Sequence, residues 1–313
     1  MPNVCVVICG PTAVGKSSIA LKLAHEYGEI VNADSRQVYK HLAIGTAQPS
    51  AHEKKNVRHH LYGYRSPRRL INAAVYARQA VRKIHRIHRR NNIPFLVGGT
   101  GLYINAVINN SVNVPGKNSA LRKKLYQHYT HEGAAALYAD LLRYDPESAH
   151  RLHPNDAVRI IRALEIYYTS GKTLSEYMKC QNNEERYLTL FIGIRLPREE
   201  LYNRINRRTR TMLSNGWIDE VKSLLHKGID EKKHSLQSVG YRDIIAYLNG
   251  SVSYEEMVES IQQQTRRYAK RQLTWFRNDH RVQWFSPNDI YRIKVAVTSW
   301  VDDAADYTQR SSK

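Results

Sequence analysis

The sequence of 313 residues predicts an α/β fold, a doubly wound parallel sheet with a helical insertion domain and a basic, helical C-terminal part. Three observations predict it. Apolar runs at 4–9, 29–33 and 93–97 alternate with helical patterns, which is typical of parallel sheets with crossover helices. A glycine-rich loop at 10–17 joins the first run to a helix. From 119 to 185, by contrast, helical patterns dominate.

The first strand is followed by Gly-Pro-Thr-Ala-Val-Gly-Lys-Ser and then by a helical pattern at 18–27. This strand, loop and helix order is the context of a P-loop, whose backbone N–H groups bind two linked phosphates. We expect Lys16 to neutralise phosphate oxygens and Ser17 to ligate Mg²⁺. The motif predicts a diphosphate site without saying which diphosphate it binds. The residues assigned to it are Gly10, Pro11, Thr12, Ala13, Val14, Gly15, Lys16 and Ser17.

The next two strands end in residues suited to a reaction. Asp34 follows the second strand, and Gly-Gly-Thr-Gly with Thr100 follows the third. Ligands bind at the carboxyl ends of parallel strands, so the P-loop, Asp34 and Thr100 should border one cleft. Asp34 is placed to accept a proton from a nucleophile, or alternatively to cap its loop or support Mg²⁺. The third strand lacks the acidic residue of a conventional NTPase, which weakens an ATPase interpretation.

A helix is predicted at 70–90, between the second and third of these strands. Its apolar stripe consists of Ala74, Ala77, Val81, Ile84 and Ile87. Its polar face carries Arg78, Arg82, Lys83, Arg86, Arg89 and Arg90.

The predicted domains follow from where the pattern changes. Four helical segments, at 121–131, 134–144, 156–169 and 173–179, precede a strand at 187–194 that returns to the sheet. We therefore expect a P-loop core in two parts, 1–114 and 187–313, interrupted by a helical insertion at 115–186.

Charge and composition indicate which class of partner the protein binds and which compartment it occupies. Lys and Arg number 48 against 28 Asp and Glu, a formal charge of +20, which indicates a polyanionic partner or else a merely basic surface. The three cysteines form no Cys-x-x-Cys pair, which indicates a reducing compartment. No targeting peptide or membrane-length apolar run is predicted, so we expect a cytoplasmic protein without a membrane partner.

The C-terminal part supplies cations. Arg204 and Arg208 are four residues apart on a predicted helix, so both could reach one phosphate, or both could be solvated. The segment 266–277 mixes cations with aromatic rings, which suits RNA backbone and exposed bases. Taken individually, Trp275 and Phe276 are expected in the core.

Nine ordered motifs extend over most of the chain, at 10–17, 34–39, 44–47, 59–61, 98–103, 154–156, 159–165, 238–242 and 270–277. Together they resemble the tRNA dimethylallyltransferase family, the tRNA isopentenyltransferases. Asp-Ser-Arg-Gln at 34–37 and Lys-Arg-Gln-Leu-Thr-Trp at 270–275 are the most specific. Arg58 and Gly63 depart from the family pattern, where Pro and an acid are usual.

The resemblance implies a P-loop NTPase-like fold and transfer of a dimethylallyl group onto N6 of the adenosine 3′ of the tRNA anticodon. Dimethylallyl diphosphate is the implied donor, Mg²⁺ the cofactor and the anticodon stem-loop the partner. Asp34 matches the general base, and Thr100 and Arg208 match residues beside the reaction centre and diphosphate. The implied tRNA contacts are Asp34, Ser35, Arg36, Gln37, Thr100, Arg122, Val158, Arg159, Ile160, Ile161, Arg162, Gln237, Ser238, Val239, Gly240, Tyr241, Arg242, Lys270, Arg271, Gln272, Leu273, Thr274, Trp275, Phe276 and Arg277.

Three other functions stay open from the sequence. A P-loop kinase would use Asp34 to activate a hydroxyl toward the γ-phosphate of ATP. A related prenyltransferase would act on free adenine nucleotides, and a nucleic-acid-binding module would carry a non-functional P-loop. For the oligomeric state we expect a monomer, with the insertion binding the stem-loop.

Overall fold

The computed structural model describes residues 3–109, 114–180 and 185–310. The chain divides into two compact units, one formed by Met1–Asn109 with Glu185–Lys313 and the other by Asn110–Glu184. The insertion expected at 115–186 thus begins five residues later, and ends two residues later, than the second unit.

A parallel sheet of six strands forms the centre of the first unit, in the order β3-β2-β4-β1-β5-β6. The strands are β1 Val4–Cys9, β2 Gly28–Asn32, β3 His59–His60, β4 Ile93–Val97, β5 Leu188–Ile194 and β6 Val282–Phe285. The predicted α/β class with a parallel sheet is confirmed. The sequence did not reveal β3 and β6, because such short edge strands carry too few residues to give a periodic pattern.

Helices connect the strands and are the secondary structure of the described part of the second unit. In the described residues they are α1 Lys16–Tyr27, α2 Ala51–Asn56, α3 Ala73–His88, α4 Gly101–Ile108, α5 Ser119–Tyr144, α6 Pro146–Arg151, α7 Ala157–Ser170, α8 Leu174–Lys179, α9 Arg198–Ser214, α10 Trp217–His226, α11 Tyr241–Leu248, α12 Tyr254–Arg277 and α13 Ile290–Arg310.

The sheet of the first unit is buried on both faces, as expected of a doubly wound fold. Alternate side chains of β1 divide between two apolar clusters: Cys5 and Val7 join α3 and α10–α12, whereas Val6 and Ile8 join α1 and α13. This alternation follows from the two-residue period of a strand. The carboxyl ends of the strands are therefore left as the edge where ligands are able to enter.

A buried carboxylate, that of Glu29, stabilises the amino end of β2. Glu29 is 1% exposed and accepts hydrogen bonds from His60, Arg90 and Asn92 at 2.7–2.9 Å. Burial by itself would raise the pKa of Glu29, but these donors lower it to about 2. Arg58, one of the departures from the family pattern, lies 3.9 Å from the same carboxylate.

The second unit packs its helices around a separate apolar cluster that includes Leu137, Leu141, Ile160 and Leu164. The sequence predicts two helices at 121–131 and 134–144. The structure confirms the break between them: α5 is interrupted at Gly133, which takes a φ of 83° and lies between the two predicted helices. Within the described residues, no helix of either unit is both long and apolar enough to cross a membrane.

Candidate active site

The loop between β1 and α1 has the backbone geometry of an anion site. Gly15 caps α1 with a φ of 104°, a left-handed conformation that glycine adopts without strain. The free N–H groups and the helix dipole at this end favour a bound anion. Lys16 Nζ donates to the carbonyl oxygen of Pro11 at 2.6 Å, which holds the ammonium over the loop.

A cavity of about 250 Å³ lies at this loop. Lys16 and Ser17 line it together with Asp34, and Arg204 and Arg208 reach it from α9. The four-residue spacing of the two arginines does bring both to one place, as the sequence predicts. Four groups of positive or hydrogen-bonding character therefore surround a space of anion size, beside a single carboxylate.

The charges in this cavity influence one another. Burial lowers the pKa of Lys16 to about 8; the Asp34 carboxylate opposes this shift and Arg208 adds to it. Burial also lowers the pKa of Arg208, again opposed by Asp34. Two partly desolvated cations close together repel each other, and a bound dianion would relieve that repulsion.

Asp34 is held by its own loop. Its backbone N–H donates to Asn32 Oδ1 at 2.8 Å, and its Oδ1 accepts the backbone N–H of Arg36 at 2.8 Å. Asp34 thus caps the loop after β2, one of the alternatives from the sequence, while its side chain also lines the cavity. The hydrogen bonds orient the carboxylate rather than remove it from the site.

Thr100 lies next to this loop. Its Oγ1 accepts the backbone N–H of Ser35 at 3.0 Å, and its own N–H donates to the Ala33 carbonyl at 3.2 Å. Burial raises the pKa of the neighbouring Tyr268, with Asp34 adding to the shift and a hydrogen bond with Thr100 opposing it. Thr100 therefore contacts both Ser35 and Tyr268, two neighbours of Asp34.

A second cavity, of about 400 Å³, adjoins the first. The two cavities share five lining residues: Thr12, Ala13, Asp34, Thr46 and Arg208. The second has an apolar portion formed by Ile205, Met212, Trp217, Val239 and Ile261. Asp34 and Arg208 thus stand where an anion site meets a larger, partly apolar site.

Two hydrogen-bonded side chains, the half-buried Glu220 and the buried Gln272, shape the walls of these cavities. The Glu220 carboxylate accepts the backbone N–H groups of Ala43, Ile44 and Gly45 and the hydroxyl of Tyr241, at 2.6–3.1 Å. It thereby pins the loop that carries Gly45 and Thr46 into the larger cavity. These backbone donors are otherwise without partners in the described residues, so one carboxylate organises the whole turn.

Gln272 of α12 is the second group. Its Oε1 accepts the backbone N–H of Thr12 at 2.9 Å, and its Nε2 donates to the Gly99 carbonyl at 2.9 Å. A Cβ atom on Gly99 would lie 1.9 Å from that Nε2, so the close approach requires glycine. The side chain is 4% exposed.

The predicted tRNA-contact residues of the first unit lie in several different environments. Those that line the larger cavity are Asp34, Arg36, Gln237, Ser238, Val239, Tyr241, Arg242 and Arg271. Those on the exposed face of α12 are Lys270, Thr274, Trp275 and Arg277, with Arg271. Gln37 lines the smaller cavity, and Ser35 and Thr100 contact each other. Gly240 takes a φ of 85° before α11, and Leu273 packs against the apolar cluster of α1 and α13.

Gln272 and Phe276 are buried instead, and Phe276 is 2% exposed. The Phe276 side chain is too deeply buried to touch RNA in this arrangement, which corrects the expectation of direct contact. Gln272 also lines the smaller cavity, so its contact with tRNA stays a prediction. The core assignment is right for Phe276 but wrong for Trp275, whose side chain is 41% exposed. A helix places successive residues about 100° apart, so neighbours in one motif face opposite environments.

In the second unit the predicted contacts also divide. Val158 and Arg159 are exposed at the start of α7, whereas Ile160 and Ile161 are fully buried in the apolar cluster. The side chains of these two isoleucines support the helix from inside, which corrects the expected RNA contact. Arg162 is half-buried and bonds to Glu165 and to the carbonyl of Pro115. Arg122, in α5, is also half-buried.

Sequence reasoning missed several lining residues, above all Trp217, Met212, Ile261 and Tyr268. The first three look like ordinary core residues of amphipathic helices, because a cavity wall has the same period as a core. Tyr268 lies in the cation-rich segment 266–277, and that was the one signal available.

Comparison with known proteins identifies the family. The protein-family model described as IPP transferase matches residues 37–279. A tRNA dimethylallyltransferase of Geobacter sulfurreducens is 46% identical over 281 residues, 89% of this chain and 90% of that protein. One from Halothermothrix orenii is 45% identical over 284 residues, 90% of this chain and 87% of that protein.

Solved structures agree. A tRNA isopentenylpyrophosphate transferase of Bacillus halodurans superimposes with a TM-score of 0.73 at 37% identity, covering 98% of this chain and 99% of that one. A eukaryotic dimethylallyltransferase, described as acting on tRNA, gives 0.75 at 31% identity, with 87% and 69% coverage. The resemblance seen in the motifs is confirmed: this chain belongs to the IPP transferase family, the tRNA dimethylallyltransferases.

Proposed function

We propose that this enzyme transfers a dimethylallyl group from dimethylallyl diphosphate to N6 of the adenosine 3′-adjacent to the tRNA anticodon, releasing diphosphate. One observation carries the proposal. The anion cavity at the P-loop and the larger cavity share Asp34 and Arg208, so a diphosphate and a base would meet at one carboxylate and one guanidinium. The relatives named above act on tRNA, which agrees with the +20 charge of the chain.

The P-loop supplies the donor site in this proposal. The N–H groups of the P-loop, with Lys16 and Arg208, would bind the diphosphate and stabilise the charge it gains on leaving. Pro11 has no N–H, and the N–H of Thr12 already donates to Gln272, so the remaining loop residues would supply these donors. Mg²⁺ would bind at the Ser17 hydroxyl together with diphosphate oxygens. The described residues hold no cluster of three His, Cys, Asp or Glu side chains suited to a metal. That suits an ion that keeps waters and relies on substrate phosphates.

Asp34 is the proposed general base. The N6 lone pair is delocalised into the purine, so the amine attacks weakly unless its proton is removed as the bond forms. The N6–C1 bond forms while the C1–O bond to diphosphate breaks, the electron pair leaves with the diphosphate, and the N6 proton passes to Asp34. General-base catalysis of this kind contributes roughly 10²–10⁴-fold. Thr100 would act by positioning the Ser35 backbone beside the carboxylate.

The larger cavity is the proposed site for the everted adenine and the prenyl group. Its apolar residues suit a five-carbon chain and a base, and Arg36, Arg242 and Arg271 lie at its lining to meet phosphates. The exposed Trp275 offers a stacking surface. In the insertion, Arg122, Val158 and Arg159 remain proposed contacts for the stem-loop. We also propose that the enzyme acts as a cytoplasmic monomer.

The P-loop kinase alternative is not favoured, because the relatives named above are tRNA dimethylallyl- or isopentenyltransferases and none is a kinase. The deciding experiment uses labelled dimethylallyl diphosphate, Mg²⁺ and tRNA lacking the modification, with a parallel reaction containing γ-labelled ATP. Label should enter tRNA from the prenyl donor alone. Transfer from ATP, or label in free adenine nucleotides but not in tRNA, would contradict the proposal.

A further inference from the structure

The exposed face of α3 carries positive charge that the proposed reaction does not use. Residues 73–88 contain no Asp or Glu. Arg78, Arg82, Arg86 and, at the C-cap, Arg89 are all exposed. Among the described residues none of these four side chains forms an ion pair, whereas Arg90 is committed to Glu29. We call these four arginines the α3 basic stripe.

The stripe is linear. Its members are spaced four, four and three residues apart, so they lie on one face of the helix. At 1.5 Å per residue, neighbours are about 6 Å apart and the whole stripe extends about 17 Å. That interval is close to the separation of successive phosphates along one RNA strand, so the stripe could contact several phosphates in a row.

The helix that carries it extends from the carboxyl ends of the strands to their amino ends. In the first turn of α3, the Tyr76 hydroxyl donates to the carbonyl of Asn32 at 2.7 Å, two residues before Asp34. In the last turn, His88 Nε2 donates to the carbonyl of Val4 at 2.8 Å, and its ring lies 6.0 Å from that of Tyr187. The stripe therefore extends from the strand ends near Asp34 toward the strand ends where β1 begins.

The α3 basic stripe is electrostatically unfavourable without a partner. Like charges at i,i+4 repel, and no acidic residue of α3 offsets them. A bound polyanion would offset this repulsion. Arginine forms paired hydrogen bonds with phosphate, and no large apolar side chain is exposed between 73 and 90 to anchor a protein or a membrane. RNA is thus the partner whose chemistry fits.

We propose that the α3 basic stripe binds phosphates of the tRNA body beyond the anticodon stem-loop, a second RNA surface separate from the site that holds the target base. The inference rests on the proposed function. It predicts that full-length tRNA is a better substrate than the isolated anticodon stem-loop, and that the difference arises at α3.

The test measures kcat/KM for both RNAs over a range of salt concentrations. The variant is Arg82→Glu with Arg86→Glu. The matched control is Lys22→Glu with Arg292→Glu, an equal charge change at exposed positions of α1 and α13 on the other face of the sheet. For full-length tRNA, the variant should lose about tenfold or more in kcat/KM, and the log–log salt slope should fall by about two. The stem-loop values and the control should change by less than about twofold.

Other results would overturn the inference. An equal loss on both RNAs, repeated with the milder Arg82→Gln and Arg86→Gln pair, would place the effect at the stem-loop or in folding. Unchanged values on both would leave the stripe to an acidic protein or to solvent. If the wild-type enzyme labels neither RNA, the proposed function fails instead, so the two failures are distinguishable.

Discussion

The backbone N–H of Thr12 in the P-loop donates to the side chain of Gln272, 260 residues later in the chain, at 2.9 Å. The same side chain donates to the Gly99 carbonyl after β4. One side-chain amide of α12 thus joins the loop after β1 to the loop after β4. Gln272 belongs to the motif at 270–277, and its contacts show that this motif holds the P-loop with a buried side chain while its exposed residues face solvent.

Replacing Gln272 with leucine should therefore weaken donor binding. The change leaves two buried backbone groups without partners, at roughly 2 kcal/mol, and frees the P-loop backbone. Steady-state kinetics should show a KM for dimethylallyl diphosphate raised about tenfold or more, with a smaller change in the KM for tRNA. The control is Gln263→Leu, an exposed position on the same helix. Equal effects in both variants would mean that a general disturbance of α12, and not the loss of the Gln272 hydrogen bonds, changes the KM.

Asp34→Asn should separate chemistry from binding. Asparagine retains an oxygen to accept the Arg36 N–H but cannot take a proton as the carboxylate does. We expect single-turnover rates to fall by roughly 10²–10⁴-fold while tRNA affinity in a filter-binding assay stays nearly constant. A comparable loss of affinity would show that Asp34 serves the loop structure. Ser35→Ala, beside it, is the control that removes a hydroxyl and keeps the charge.

Lys16 should give the donor reaction a pH dependence. Its pKa of about 8 means that the free enzyme loses this positive charge as the pH rises through 8. In the proposed function the protonated form binds diphosphate, so kcat/KM for the donor should fall above that pH by about tenfold per unit. Lys16→Arg keeps its charge and should show a lower but flat profile. The idea fails if the wild-type and arginine profiles have the same shape.

Glu29→Gln should destabilise the fold at neutral pH. The variant leaves Arg90 and His60 without their buried anion, which costs roughly 3 kcal/mol. Because the folded pKa is depressed from 4.5 to about 2, the stabilisation is present above pH 4.5 and is lost as the pH falls toward 2. Urea unfolding at several pH values should show the two proteins converging in acid. Glu26→Gln, an exposed pair with Lys294, should change little.

How far the sequence predicts this molecule depends on the kind of signal. The P-loop, Asp34 and the Arg204/Arg208 pair were predictable because their spacing is local and their chemistry specific. Only the packing of α12 decides that Gln272 is buried and Trp275 is exposed. The division of the motif at 270–277 into buried and exposed residues was therefore not predictable. Nor were the cavity residues Met212 and Ile261, whose pattern equals that of a core. The Thr12–Gln272 contact depends on folding of the whole first unit.

The most direct test is a crystal structure with Mg²⁺, unmodified tRNA and a dimethylallyl diphosphate analogue that cannot ionise. The proposal predicts the diphosphate on the P-loop N–H groups, other than that of Thr12, and against Lys16 and Arg208. It also predicts the flipped adenine in the larger cavity, with N6 within hydrogen-bond distance of Asp34. An analogue bound elsewhere, or a P-loop that accepts only a nucleoside triphosphate, would contradict the central claim.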